Sequence, residues 1–589
     1  MKRMITLFKT ALFVAATFLL STNAIAATYT AILSGAFSST ATWSGGLIPP
    51  ALLPSGDDVI IPSGITVTLD QDLMLGTSTS LDVDGALTGG TGQVLVLSTG
   101  TLSGTGSIDI DSFSAAFTSG FSFTGTLTTN ALYSTNAIIN STATIMVDNM
   151  LYLAGGTLTM ASGTLNLGSN ATIVVDGGSM TVTGGVANLN TTYHVMYKGA
   201  TSTAGIELSG SGLTNITVNT NNGQEVKLSN DLTVNGDLTL TMGALNLNNN
   251  NLTISANGDL AASGSGTITS SSGSDITVNA SGGLAGTLRF TSGGNTVNNF
   301  TLNLGSNTAS VMLSSNLMVN GTLNLQQGRL NIGANKLELD ANATVTGGSA
   351  NSFVITGTGG TLSLNVNTGA TTTFHIGTGN NYAPLTIKSN SGSASSRFDV
   401  GVNTDVKVNG TTGASASATQ PLVNATWFVA SSATSNVNVD MTVMWSSGME
   451  VNSFDRTKAY ISHYMNGSWD AHATSVASTS GSMYSLTRAA ITSFSPFAVF
   501  DENTTLSVGQ VAGSTKISIY PNPVTDIIHI SAQGAGNMNA EIYNVSGQLV
   551  HTAPVLNNAS INVSNLPDGM YYIRLNGETA NGTHKFIKQ

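Results

Sequence analysis

Cysteine is absent from this chain, which removes disulfide staples, thiolate metal ligands and cysteine nucleophiles together. Charge is scarce as well: Asp, Glu, Lys and Arg make up 8% of 589 residues, against about 25% in ordinary globular proteins. Positive charge is scarcest of all. Between Ala27 and Ala370 the only basic residues are Lys198, Lys227, Arg289, Arg329 and Lys336. A phosphate backbone is neutralised by clustered Lys and Arg, so nucleic acid is excluded as a partner. Beyond the first 26 residues no apolar run approaches the roughly 20 needed to span a bilayer, so no transmembrane span is expected in the mature chain. Phosphate loops, zinc-type His clusters and nucleophile-elbow sequences are also missing. No catalytic, cofactor or metal set is therefore expected.

What is present is Gly, Ser, Thr and Asn beside a 41% apolar content. Disorder combines low hydrophobicity with high charge, and this chain has neither. The small polar residues are read instead as turns and outward-facing strand positions. At the N-terminus, Lys2, Arg3 and Lys9 precede an apolar Ala11–Leu20 run and the small-residue site Ala24-Ile25-Ala26. Residues 1–26 are thus read as a signal peptide, cleaved before Ala27. Its removal takes three bases and no acids, lowering the net charge from −12 to −15.

Three segments share the pattern Gly-x-Leu-x-Leu/Met-x-x-Gly-x-Leu-x-Leu/Ile: Gly156–Leu167, Gly236–Leu247 and Gly321–Ile332. The last two belong to a longer match offset by 85 residues, in which Leu232, Val234, Leu252 and Ile254 fall on Leu317, Val319, Leu337 and Leu339. Within a unit, the pairs Leu232/Val234, Leu238/Leu240, Leu245/Leu247 and Leu252/Ile254 recur every six or seven residues. Alternation sends each pair to one side of a strand, with Thr233, Thr239, Asn246 and Thr253 on the other. Strands this short and frequent leave little room for hairpin reversals. The spacing predicts three strands per coil of about 20 residues, stacked in parallel, and hence an all-β right-handed parallel β-helix over 27–370. Roughly 16 coils at about 4.8 Å would give a rod on the order of 75 Å long.

Past residue 370 the rhythm stops and aromatics rise. Trp427-Phe428-Val429, Val443-Met444-Trp445 and Ala459-Tyr460-Ile461 alternate as the strands of a β-sandwich would, over 371–500. Residues 501–514 have a linker's composition. Candidate sites are sparse. Asp82/Asp84 and Asp109/Asp111 are spaced to share a strand face, where paired carboxylates perform acid–base work on glycosides or bind calcium; neither pair has a base close in sequence, and a turn or solvated face is the alternative. Asp57 and Asp58 are open to calcium or a capping role. Asp470 with His463 and His472 would make a metal site only if the fold gathers them. Trp445 and Trp469 are sugar-stacking or core residues. His194 and His375 stand alone. The turn Gly89–Val94 fails as a calcium nonapeptide because Gln93 stands where Asp is required.

The last 75 residues carry four ordered blocks: Tyr520-Pro521-Asn522-Pro523-Val524, then Ile542-Tyr543-Asn544-Val545-Ser546-Gly547-Gln548. Leu566-Pro567-Asp568-Gly569-Met570-Tyr571-Tyr572-Ile573-Arg574-Leu575 follows, and the terminal Lys585-Phe586-Ile587-Lys588 closes the series. Residues 515–589 resemble the type A C-terminal sorting domain of the bacterial type IX secretion system. That resemblance implies a small Ig-like β-sandwich, recognition by the outer-membrane secretion machinery, removal by its sortase-like peptidase, and attachment at the cell surface. The block from Trp43-Ser44-Gly45-Gly46 to Gly56-Asp57-Asp58-Val59-Ile60-Ile61-Pro62 resembles the opening of many secreted bacterial β-helix proteins, and implies an N-terminal cap over about 27–70. Phe454-Asp455-Arg456-Thr457-Lys458 and Ile491–Val499 resemble a β-sandwich module often placed before such sorting domains.

These features lead to the expectation of a secreted or surface-attached, non-enzymatic rod, adhesin-like or structural. The alternatives are a polysaccharide-degrading β-helix enzyme using Asp109 and Asp111, and a rod that binds surface glycans or ice. Ice binding calls for regular Thr rows, yet Met318, Asn324, Asn331 and Glu338 occupy outward positions.

Overall fold

The computed structural model describes residues 26–589 apart from 434, 506–517, 532–536, 557 and 578–580. The expected signal peptide up to residue 25 and most of the expected linker lie outside the described residues. The described chain is almost wholly β, its helical residues being confined to three-residue 3-10 turns. No described helix is long and apolar enough to cross a membrane.

The middle of the chain is a parallel β-solenoid of about fifteen coils. Each Leu-x-Leu pair points inward and meets its counterpart one coil away. Leu87, Ile108, Leu127, Ile145 and Leu165 form one such column. Leu232, Leu252, Ile276, Phe300 and Leu323 form another on a different face. All ten are at most 3% exposed. Burial of each large aliphatic is worth about 1.5–3 kcal/mol relative to exposure. The chain thus assembles a continuous core from strands of three or four residues that would not persist alone.

The 85-residue match acquires a geometric meaning here. Leu238 pairs onward with Leu260 on one face, whereas its match Leu323 continues the Phe300 column on another. Leu252 lies in that same Phe300 column, and its match Leu337 lies on the third face, above Leu317. The repeat is displaced around the axis by one face. What recurs is the inward pair and its corner, not a fixed number of coils.

Corners pack backbone on backbone. A Cβ on Gly106 would lie 2.0 Å from the Gly85 carbonyl oxygen, and one on Gly125 would lie 1.9 Å from that of Gly106. Only glycine permits coils to approach this closely at that corner.

Both ends of the stack need cover, because an open sheet edge is a template for further pairing. At the N-terminal end Trp43 is buried, with its indole N–H donating to the Phe37 carbonyl at 2.7 Å and its ring edge-on to Phe37 at 5.1 Å. Asp57 is buried and accepts the Ala27 N–H at 2.9 Å, while Ser80 donates to Asp58. These carboxylates tie the first coil together.

At the other end, the strand Thr361–Val366 pairs in parallel with Lys336–Leu339 on one side and antiparallel with Ser396–Asn403 on the other. The solenoid sheet runs on through Ser396–Asn403 into Leu422–Ser431, Pro496–Asp501 and Ala459–Met465. A second antiparallel sheet comprises Thr371–Phe374, Leu385–Ser389, Val439–Ser446, Met483–Ile491 and Ser478–Ser480. Residues of both sheets, including Trp427, Phe398, Met441 and Leu486, share the same core cluster as the solenoid. The antiparallel region therefore seals the last coil. Thr504 donates to the Pro421 carbonyl and Thr505 to Gln420, so the first residues expected as linker are tied to this region.

The tail has its own core of Val524, Ile528, Ile530, Ala540, Ile542, Ile573, Leu575 and Phe586. Its strands form a three-stranded and a four-stranded antiparallel sheet.

Candidate functional site

Two of the four sequence blocks of the tail, the first and the third, converge on its last strand, Asn581–Lys588, which carries the fourth. In the first block, the Asn522 side chain grips that strand at two points. Its amide donates to the Lys585 carbonyl at 3.1 Å, and its oxygen accepts the Ile587 N–H at 2.9 Å. Val524 N–H then donates to the Ile587 carbonyl at 2.8 Å. In the third block Gly569–Gly577 pairs along the same strand, with Tyr572 opposite Lys585. Buried Tyr571 stacks on Phe586 at 5.6 Å and donates its hydroxyl to the Pro567 carbonyl at 2.8 Å, which holds the Leu-Pro-Asp-Gly loop closed. Lys588 faces Asp568 at 3.6 Å. The second block is the turn of the hairpin joining Asn537–Asn544 to Leu549–Leu556. There Asn544 Oδ1 accepts from Ser546 N and Gln548 N at 3.1 and 3.0 Å, and Gly547 adopts φ +80°. Only a residue at ease in the left-handed region suits that position. Tyr520 and Tyr572 remain exposed.

The carboxylate pairs are not gathered into a catalytic groove. Asp82 lies on Ser80–Val83 and Asp109 on Ser107–Ala115, strands of different sheets. Asp109 is exposed, between Thr88 and Thr128 of the adjoining coils. Asp111 accepts from Gly92 N at 3.1 Å and Asn130 Nδ2 at 3.2 Å, and Asn149 in turn donates to Asn130. Asp82 takes the Ser103 hydroxyl, and Asp84 takes Thr105 N and Oγ1, each at 3.0 Å. None of the ion pairs among the described residues includes any of the four. Asp82, Asp84 and Asp111 thus each bond to an adjoining coil, while Asp109 faces solvent.

Trp445 is a correction to the sugar-stacking reading. It is 0% exposed, edge-on to Phe454 and beside Tyr484, and its indole N–H donates to Glu450 at 2.8 Å. A buried ring offers no face to a ligand. Trp469 is half-buried against Tyr464 and Phe500, and its N–H holds the Lys407 carbonyl at 2.9 Å. Its role is to hold the hairpin that follows Asp405.

The metal reading of Asp470 is also overturned. Arg488 claims its carboxylate bidentately at 2.9 and 2.6 Å, and the His463 backbone N–H adds a further donor at 2.7 Å. This arrangement holds the Asp470 carboxyl below the usual range despite its burial. No group of three or more metal-ligating residues occurs among the described residues. His194 bonds Thr214 at 2.9 Å, and His375 bonds and stacks on Tyr382.

Sequence reasoning passed over one concavity, where the last coil meets the antiparallel sheets. It is lined by Gly357–Thr361, Gly401, Asn403, Asp405, Lys407 and Phe428, among others. The glycine cluster was its only signal in the sequence, and it reads equally well as a turn.

Residues 518–589 match the family model of the secretion system C-terminal sorting domain. No curated protein matches the chain. The chain is thus a β-solenoid protein carrying a type IX sorting tail, which implies secretion by that system and contact with its machinery.

Proposed function

We propose that this protein is a non-enzymatic, adhesin-like rod displayed at the bacterial cell surface. The carrying observation is what the outward columns present. On one face they read Thr68, Thr88, Asp109, Thr128, Met146, Asn166 and Asn188 from coil to coil. Hydroxyls and amides bond along the column, as in Thr68–Thr88 and Asn188–Asn166 at 3.3 and 2.6 Å. Such a surface is polar, weakly charged and suited to contact rather than to proton transfer. A polysaccharide-cutting site needs an acid and a base held around one bond, and no observation favours that reading here. In this account the solenoid sets reach, the antiparallel region seals its end, and the tail directs export. The signal peptide opens the route, the sortase-like peptidase removes the tail, and the rod stays attached outside.

Deletion of residues 515–589 in a cell that possesses the type IX system tests the export half. The truncated chain is expected to be retained in the periplasm on fractionation. Its arrival at the surface in normal amount would contradict the assignment.

A further inference from the structure

The concavity at the solenoid end has the composition of a ligand site rather than of a packing defect. Its volume is about 500 Å³, within the roughly 300–1,000 Å³ typical of small-molecule clefts, which favour such domain junctions. Its floor is backbone. A Cβ on Gly360 would lie 2.0 Å from the Gly333 carbonyl oxygen, and one on Gly401 would lie 2.6 Å from that of Gly360. Gly401 stands directly across the strand pair from Phe428, so no side chain covers the partly exposed ring from that position. Glycine inside a strand often marks such a place of close approach.

The polar groups in the cleft define what it accepts. Asp405 and Lys407 pair at 2.7 Å, and Asp405 also takes the Ser417 hydroxyl at 3.1 Å and that of Ser415. Their charges are spent on each other, so neither an anion nor a cation finds a free counter-ion there. Asp405 holds φ +84°, a conformation that costs a non-glycine residue energy and is retained where surroundings impose it. By contrast, the Asn403 side-chain amide and the Thr358, Thr404 and Thr411 hydroxyls make no hydrogen bond with any described residue. An aromatic ring, a glycine floor, uncommitted amide and hydroxyl groups and a cancelled charge together suit a neutral molecule with one apolar face and many hydroxyls.

We propose that this cleft binds a neutral saccharide, with Phe428 beneath a sugar ring and the Asn403 amide bonding to its hydroxyls. Trp469, through the Lys407 carbonyl, positions the wall that carries the ion pair. The claim goes beyond surface display, and it rests on the cleft alone. It is read on purified protein, so failure of the export assignment would leave it untouched.

The test is native affinity electrophoresis of the full chain in gels containing a soluble glucan, mannan or galactan, with polygalacturonate as the charged comparator. At least one neutral polymer is expected to retard the wild type, and more strongly than polygalacturonate does. Phe428→Ala and Asn403→Ala are each expected to weaken that retardation at least tenfold, with Phe428→Tyr retaining it and melting temperatures matched. Absence of retardation by all three neutral polymers overturns the proposal. So does stronger retention by polygalacturonate, or undiminished binding in either alanine variant.

Discussion

Leu252→Asp is expected to abolish the cooperative melting of the solenoid, whereas Thr253→Asp, one residue away, leaves it nearly unchanged. Leu252 is 0% exposed, with Leu232 and Ile276 adjoining it in the same interior column. A carboxylate placed there meets only aliphatic neighbours and has no cation or donor to satisfy it. Desolvating an unpaired ionised group costs more than a whole domain's margin of stability allows, so the local coils open instead. A loss above about 4 kcal/mol is expected. Thr253 belongs to the outward column between Thr233 and Thr277, where a new charge is hydrated and the cost stays within about 1 kcal/mol. Coils support one another in sequence, so the damage of Leu252→Asp spreads to neighbours as protease sensitivity across the middle of the rod. Equal tolerance of both substitutions would contradict the inward assignment.

The second large effect is a loss of stability in mild acid that traces to His463. Its ring is 2% exposed, stacked on Phe497 at 4.1 Å, with Nε2 buried and unpartnered. Burial, reinforced by the nearby Arg488 guanidinium and only partly opposed by Asp470, pushes its pKa down to about 4. In the unfolded chain the same imidazole titrates near 6.5. Between those values the unfolded state takes up a proton that the folded state refuses. Stability is therefore fully present above about pH 6.5 and declines by up to about 3 kcal/mol as the pH falls to about 4. The Asp470–Arg488 pair weakens only at still lower pH, because the Asp470 carboxyl is itself held down. His463→Phe keeps the stack and removes the titration. Denaturant unfolding followed by the fluorescence of Trp427 and Trp445 is expected to show a flattened acid limb in the variant. A residual slope is expected from His375, which burial also holds below its ordinary value. Parallel wild-type and variant curves would exclude His463 as the cause.

Much of this fold is written locally. The Leu-x-Leu alternation states which side chains enter the core, and the Gly, Asn and Ser between pairs state where the chain turns. What is not local is the pairing of each strand with its neighbour one coil on. Through the body of the solenoid column partners are separated by 18 to 25 residues, as in Leu127–Ile145 and Leu337–Leu362. Corner lengths set that spacing, and short polar corners carry little pattern. Hence the 85-residue match identified the building unit but did not show that its two copies occupy different faces. The sorting tail was legible because its blocks are contacts: Asn522, Tyr571 and Phe586 all act on one strand. Trp445 and Trp469 illustrate the limit at the site. An indole has an apolar body and one donor, a combination that serves a core as well as a sugar surface. The full burial of Trp445, with the partners Glu450 and Lys407 at 2.8 and 2.9 Å, separates the two. The cleft beside Asn403 was hidden for a related reason, since its floor and wall come from strands joined only by folding.

The stacking of coil upon coil is open to direct measurement. Thr233, Thr253, Thr277, Thr301, Asn324 and Thr346 occupy successive positions of one outward column. The natural absence of cysteine lets spin labels be placed there without background. Five rises of about 4.8 Å place labels at 233 and 346 about 24 Å apart, with proportionally shorter distances for 253/346 and 277/346. A distance that grows by one constant increment per coil is the result this architecture requires. Distances that scatter with no such increment, as separate antiparallel hairpins would give, would contradict it.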